Sequence, residues 1–287
     1  MPTAEVGGRH RGRGGGVLLQ AVGRRRSLAH PQPPVQITDT HCHLFLMKVE
    51  PRRAVEAALG AGVGRLVCVG IDPRSSRDSA ELASEHPEVF SAAGMHPHTA
   101  SELDASAAGE IDALAANSEV VGIGETGLDF FRMLSPREDQ ERSFRWHAAL
   151  SRSSGKPLIV HVRDAWPRAL EILAEESAES VVLHCFSGDA EIAGECAARG
   201  YFVSFAGNLT YPKNGHLREA AAASPSSRLL TETDSPYLAP QELRGRENEP
   251  ANALSVVREL ARVRSEPLEK VAEDTNRNAF SAFPGLD

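Results

Sequence analysis

The sequence predicts an α/β chain closed into a (β/α)8 TIM barrel, with a two-metal site at the carboxyl ends of its strands. Three observations carry that reading. Short β-branched runs recur eight times after Val35, and a segment of helical periodicity follows each. Alternation of strand and helix calls for parallel strands joined by crossover helices, and eight repeats over about 250 residues favour a closed barrel over an open sheet. Finally, the polar residues that interrupt these runs stand at the same end of each, where such barrels gather their chemistry.

The first run, "QITDTHC", leads into His41 and His43, which an extended strand places on one face while Cys42 points away. "RLVCVG" and "VFSAAGM" come next, then "VVGIGE", which ends in Glu125. The fifth run, "PLIVHV", ends with His161, and the sixth, "SVVLHCF", with His184. "YFVSFAG" is seventh, and "RLLTETD" closes the set with Asp234. Helical patterns such as "PRRAVEAAL", "EIDALAA", "AWPRALEILAEES" and "AEIAGECAARG" lie between them. Ser135-Pro136-Arg137-Glu138 reads as a capping box opening the longest helix, with proline at the first helical position. "NALSVVRELARV" and the stretch from Leu268 complete the outer layer.

Taken singly, a strand-end histidine is more often a hydrogen-bonded core residue than a ligand. The set is different. Four imidazoles and two carboxylates at one end of one barrel converge on its axis, where unneutralised charge is costly. His41, His43, Glu125, His161, His184 and Asp234 are therefore the expected metal ligands. Six exceed the three or four protein ligands of one catalytic ion of the zinc type, so two divalent ions sharing them with bridging water are expected.

Composition bounds the remaining choices. The chain has 287 residues, 41% of them hydrophobic, but no apolar run approaches the roughly 18 to 20 residues of a membrane span. Cys42, Cys68, Cys185 and Cys196 lack CxxC spacing and read as buried, reduced thiols of a cytoplasmic protein. Residues 1–35, rich in Gly, Arg and Pro and without hydrophobic periodicity, read as a disordered extension, and residues 36–287 as the barrel. The extension holds six arginines and one glutamate, leaving 25 basic against 38 acidic side chains in the barrel. A body near −13 has no broad basic face for nucleic acid, so a phosphate-bearing ligand must be drawn by a local site. No obligate protein partner is evident.

From Ile37 to about Phe280, "DTHCHL", "GMHPH", "GIGETGLDFFR", "KPLIVHVRDA", "LHCFSG" and "LLTETDSPYLAP" followed by "RGRENEP" resemble, in order, the motifs of the TatD family of metal-dependent deoxyribonucleases. That family belongs to the amidohydrolase-like TIM-barrel superfamily. The resemblance implies the same six ligands, with Glu125 bridging, and a substrate or third-metal position at His96. It also implies magnesium dependence, whereas imidazole-rich ligation suits zinc, manganese or iron. Glu247 stands where the family commonly has a basic residue, which leaves a phosphate contact there open.

Hydrolysis of a phosphodiester fits such a site, with Asp234 as ligand and proton acceptor together. A barrel mouth is a pit, so the expected substrate is single-stranded DNA or a frayed end, and the resemblance implies 3′ to 5′ exonuclease action. Arg132 and Arg163 read either as a phosphate clamp or as partners of Asp129 and Asp164. Ser187 either offers its hydroxyl to an oxyanion or begins the next helix. Pro97 interrupts strand geometry, so His96 and His98 are not expected to share a face. Trp146 reads as a helix residue packing on the barrel rather than a stacking platform. The competing functions are hydrolysis of a small amide or ester on the same scaffold, and a catalytically silent binding protein.

Overall fold

The computed structural model describes residues 36–287, so the expectation for residues 1–35 lies outside the described residues. Eight strands form one parallel sheet in sequential order: β1 (Ile37–Cys42), β2 (Val63–Val69), β3 (Val89–Ala93), β4 (Val120–Asp129), β5 (Leu158–Arg163), β6 (Val181–Leu183), β7 (Phe202–Phe205) and β8 (Leu229–Thr231). Nine α-helices among the described residues surround them: α1 (Pro51–Gly60), α2 (Pro73–Glu85), α3 (Ala105–Ala115), α4 (Arg137–Ser154), α5 (Trp166–Glu175), α6 (Ala190–Ala198), α7 (Gly215–Ala223), α8 (Ala253–Arg264) and α9 (Leu268–Ala282). All eight predicted runs become strands.

The seam between β8 and β1 is closed by polar groups rather than a long ladder. Thr40 Oγ1 donates to the Thr231 carbonyl at 3.1 Å, and the Asp234 and His43 amides donate to the His41 and Ser235 carbonyls at 2.9 and 2.7 Å. Beneath the site, the buried Asp39 carboxyl takes the Thr233 amide at 2.9 Å and the Thr233 hydroxyl at 2.6 Å. Burial pushes this carboxyl up to about 8 against the pull of those hydrogen bonds.

Alternation along the strands sorts the core into two layers. Val67, Val69, Val121, Ile159, Val182 and Leu230 fill the barrel, which Phe283 and Leu286 stop from below. Leu66, Cys68 and Cys42 belong to the larger layer between sheet and helices, so Cys42 does face away from the two histidines beside it. All four cysteines are free; Cys185 is only half buried, the others fully.

Two expectations are corrected here. The Ser135 capping box does not form, and Pro136 is the N-cap rather than the first helical residue: α4 starts at Arg137 with no side-chain cap. The Ser135 hydroxyl instead donates to the His98 carbonyl at 2.9 Å and accepts from the Ser101 amide at 3.1 Å, which ties the loop after β3 to the loop after β4. A capping box does open α2, between Asp72 and Ser75.

Candidate metal centre

Irregularities in the sheet aim the polar residues. The β4–β5 register shifts between Ile123 and Thr126, and the β1–β2 register between Asp39 and Cys42, the spans that hold Glu125 and His41. Shifts of this kind bend a strand and redirect its side chains. At Gly124, with φ +138°, a Cβ would sit 2.4 Å from the Ile159 carbonyl oxygen, so only glycine lets β4 approach β5 this closely. β4 then runs past Glu125 to Asp129, four residues beyond the predicted run.

Glu125, 2% exposed, lies at the centre. Its two oxygens face different partners. Oε2 lies 3.4 Å from His41 Nε2 and 3.8 Å from His43 Nε2, and His43 Nε2 is 3.5 Å from Asp234 Oδ1. Oε1 lies 2.8 Å from His184 Nε2, 3.0 Å from His161 Nδ1 and 3.2 Å from His96 Nε2. Asp234 stands three residues past the end of β8 with φ +54°, a left-handed conformation uncommon outside glycine, and the loop there turns its carboxylate toward His43. All six predicted ligands therefore meet in one place.

The same geometry brings in residues that the sequence reading left aside. Glu232 Oε1 lies 3.3 Å from His184 Nδ1 and accepts the Cys185 amide at 2.7 Å. Asp129 Oδ2 lies 2.9 Å from His98 Nε2 and 3.4 Å from His161 Nε2. Glu232 had a readable signal, since it stands two residues before Asp234 just as His41 stands two before His43. His96 and His98, expected to diverge, come together: the turn at Pro97 sets their rings in an edge contact at 4.2 Å, one toward Glu125 and the other toward Asp129.

At the rim, no ion pair joins Arg132 or Arg163 to Asp129 or Asp164 among the described residues. Asp129 Oδ1 instead accepts the Phe131 and Arg132 amides at 3.0 and 2.8 Å, while Arg163 lies over the Phe131 ring at 3.9 Å. Both guanidinium groups thus remain available to an anion. The Ser187 hydroxyl donates to the Val162 carbonyl at 2.8 Å, which spends its proton and corrects its expected role as a hydroxyl donor to an oxyanion. Trp146 lies within α4, partly buried against the core. Glu247 accepts the Lys48 amide at 2.7 Å and pairs with the Lys48 ammonium at 3.3 Å, joining the last mouth loop to the first.

Chemically the cluster suits cations. His43 Nδ1 donates to the Val69 carbonyl at 2.7 Å, which turns the Nε2 lone pair toward His41 Nε2, 3.3 Å away. Two buried side-chain atoms here, His41 Nδ1 and Glu232 Oε2, lack a hydrogen-bond partner. Such groups are costly unless a charge or ligand satisfies them. His41, His43 and Glu125 form one set of donors that can surround an ion, and His96, Glu125 and His161 another; His41, His184 and Glu232 form a third.

Protonation follows the same charges. Burial opposes charge on every ring, yet Asp234 and Glu125 push His43 up to about 9. Asp129 and Glu125 likewise hold His161 up, and Glu125 and Glu232 hold His184 well above its ordinary value. Burial wins at His96, lowered to about 4, and at His41, which the neighbouring His184 lowers further. Although burial works against it, Glu125 is held well below the usual carboxylate range by His184 and His96. Protons and metal ions therefore compete for the same lone pairs.

Fold and site together define a metal-dependent hydrolase on a (β/α)8 barrel, an enzyme acting on ester bonds. The chain belongs to the TatD family: the family model described as "TatD related DNase" matches residues 38–284. It is 35% identical over 249 residues to the metal-dependent hydrolase YabD of Bacillus subtilis, covering 85% of this chain and 98% of the relative. It is 36% identical over 236 residues to the 3′-5′ ssDNA/RNA exonuclease TatD of Escherichia coli K12, covering 80% and 91%. The crystal structure of YJJV, a TatD homolog from Escherichia coli, superposes with a TM-score of 0.82 at 25% identity over 86% of this chain and 98% of that one. Among the described residues no helix is long and apolar enough to cross a membrane.

Proposed function

We propose that this enzyme is a two-metal nuclease removing nucleotides from the 3′ end of single-stranded or frayed DNA. The observation that carries the reading is the division of Glu125, one oxygen toward His41 and His43 and the other toward His161 and His184. A carboxylate so placed is suited to bridge two divalent ions. In this assignment His41, His43 and Asp234 hold one ion, His161 and His184 the other, and His96 stands beside Glu125 as a substrate or third-metal ligand. Magnesium, manganese or zinc ions bound there supply the charge that activates a water, polarises a phosphoryl group and stabilises the leaving oxygen.

The chain's own groups do the rest. The Val69 carbonyl fixes His43, and in this reading Asp234, 3.5 Å away, takes the proton of the attacking water. Arg132 and Arg163 at the rim steady the phosphates on either side. Because Glu125 and most of the histidines are buried below that rim, a duplex cannot bring a diester down to them without unpairing. The relative from Escherichia coli K12 is named a 3′-5′ ssDNA/RNA exonuclease, which supports both the polarity and a single-stranded substrate. Amidohydrolases bridged by a carboxylated lysine carry it on strand four, where this chain has Glu125, so amide hydrolysis is the weaker reading.

The test is reconstitution. Metal-stripped enzyme loaded with a single metal at a time is assayed on end-labelled single-stranded DNA, RNA and a panel of amides. Stepwise shortening of the DNA from its 3′ end is expected. Turnover of amides without cleavage of any oligonucleotide would overturn the reading.

A further inference from the structure

Five large apolar side chains are exposed among the described residues, and all five lie at one end of the barrel. Leu46 lies between β1 and α1, Phe131, Met133 and Leu134 between β4 and α4, and Tyr237 between β8 and α8. These three loops are far apart in sequence and have in common the barrel mouth. Apolar exposure gathered at a binding mouth marks a contact surface.

Two of the five are aromatic, and their placement is specific. Phe131 is 60% exposed, with the Arg163 guanidinium 3.9 Å from its ring centroid. Tyr237 is 54% exposed, and its ring centroid lies 6.2 Å from that of His43. β4 and β8 are four places apart in a ring of eight, so the loops that carry the two rings rise from opposite sides of the mouth. Asp129 fixes the Phe131 backbone, and the Tyr237 amide donates to the Asp234 carbonyl at 2.8 Å, so each ring is anchored to the metal centre's own framework.

We propose that Phe131 and Tyr237 are stacking platforms for the two unpaired bases that flank the scissile diester, an inference that rests on the nuclease reading above. Every base has a π-face, so such platforms accept any sequence. Together they select for unpaired bases, because the end of a duplex offers one open base face at most and two platforms need two. Arg163 behind Phe131 places positive charge beside the phosphate that joins the stacked nucleotide to its neighbour, inside an otherwise acidic body. The minimum substrate is then a dinucleotide with both bases present.

The test compares an intact single-stranded oligodeoxynucleotide with one carrying abasic tetrahydrofuran residues at its last two positions, using metal-loaded full-length enzyme. Wild-type enzyme should favour the intact strand through KM. In Phe131→Leu, and separately in Tyr237→Leu, KM for the intact strand should rise about five- to a hundredfold, the loss of one stacked base. The preference over the abasic strand should shrink accordingly, and Phe131→Tyr should restore it. Both side chains are exposed, so thermal unfolding of the variants should match wild type. Equal KM for intact and abasic strands in the wild type, or leucine variants that keep the preference, would overturn the stacking assignment while leaving the nuclease reading in place. Failure of the wild type to cleave either strand would remove both.

Discussion

Glu232 stands behind His184. Its Oε1 lies 3.3 Å from His184 Nδ1, while the other ring nitrogen faces Glu125 at 2.8 Å. A carboxylate on the far side of a ligating imidazole fixes the tautomer and the ring plane, and losing it typically costs about 10- to 100-fold in metal affinity or activity. Glu232→Gln keeps the shape but not the charge. Metal titration should show one equivalent bound about 10- to 100-fold more weakly, with the fold intact by circular dichroism. Unchanged affinity for both equivalents would show that His184 needs no such support.

The raised rings give a pH dependence whose sign can be worked out. His43, His161 and His184 have folded-state values above that of a free imidazole, with His43 near 9, so below that range they hold protons that a metal ion must displace. Metal affinity should therefore rise with pH up to about 9, and binding near neutrality should release protons. Calorimetry in buffers of different ionisation enthalpy counts them. The same groups act on stability: a raised value stabilises the metal-free fold fully below the unfolded value and loses that contribution as pH climbs through the folded one. Metal-free protein should lose melting temperature from about pH 6.5 toward 9, and metal-loaded protein should not. A metal-free protein that gains stability over that window would contradict the assignment.

Much of this centre was legible in the sequence because its signals are local. Eight apolar runs point to the barrel, and five of them, ending at His41 and His43, Glu125, His161, His184 and Asp234, point to the six side chains that meet in it. The missing parts depend on where an element stops. β8 ends at Thr231, so Glu232 follows the strand and reaches His184 rather than continuing the alternation of the ladder. β4 runs on to Asp129, which gives a residue that reads as an arginine partner to His98 and His161 instead. Ser135 and Glu138 have the spacing of a cap, but a capping hydroxyl must accept an amide of its own helix, and the Ser135 oxygen accepts the remote Ser101 amide instead while its proton goes to the His98 carbonyl. Competition between local and remote partners is not written in a single chain.

Asp129 links the metal centre to the rim and offers a third test. Its Oδ2 faces His98 and His161, and its Oδ1 holds the backbone amides of Phe131 and Arg132. Asn in its place can still accept from those amides, so the loop should keep its shape. The lost charge should lower the basicity of His161 and weaken one metal equivalent by about 10-fold, at the lower end of what an outer carboxylate contributes. Asp129→Ala should lose loop order as well and raise KM for DNA. Identical behaviour of the two variants would mean that Asp129 acts on only one of the two.

The proposed mechanism gives Asp234, whose Oδ1 lies 3.5 Å from His43 Nε2, two roles, as a metal ligand and as the acceptor of the water's proton. Its backbone is held independently, since its amide donates to the His41 carbonyl at 2.9 Å and its carbonyl accepts the Tyr237 amide at 2.8 Å. Asp234→Asn should therefore fold and keep one oxygen donor in place while removing the charge and the proton acceptor. Loss of a general base typically costs about 10² to 10⁴ in rate, so turnover should fall by at least the lower figure at saturating metal. DNA binding should change far less, because less negative charge at the centre favours phosphate. Glu125→Ala should behave differently: both sets of histidines lose their shared oxygens, so metal content and activity should fall together. If Asp234→Asn at saturating metal kept more than about a tenth of wild-type turnover, a smaller loss than any general base in that range, the proton would leave by another route.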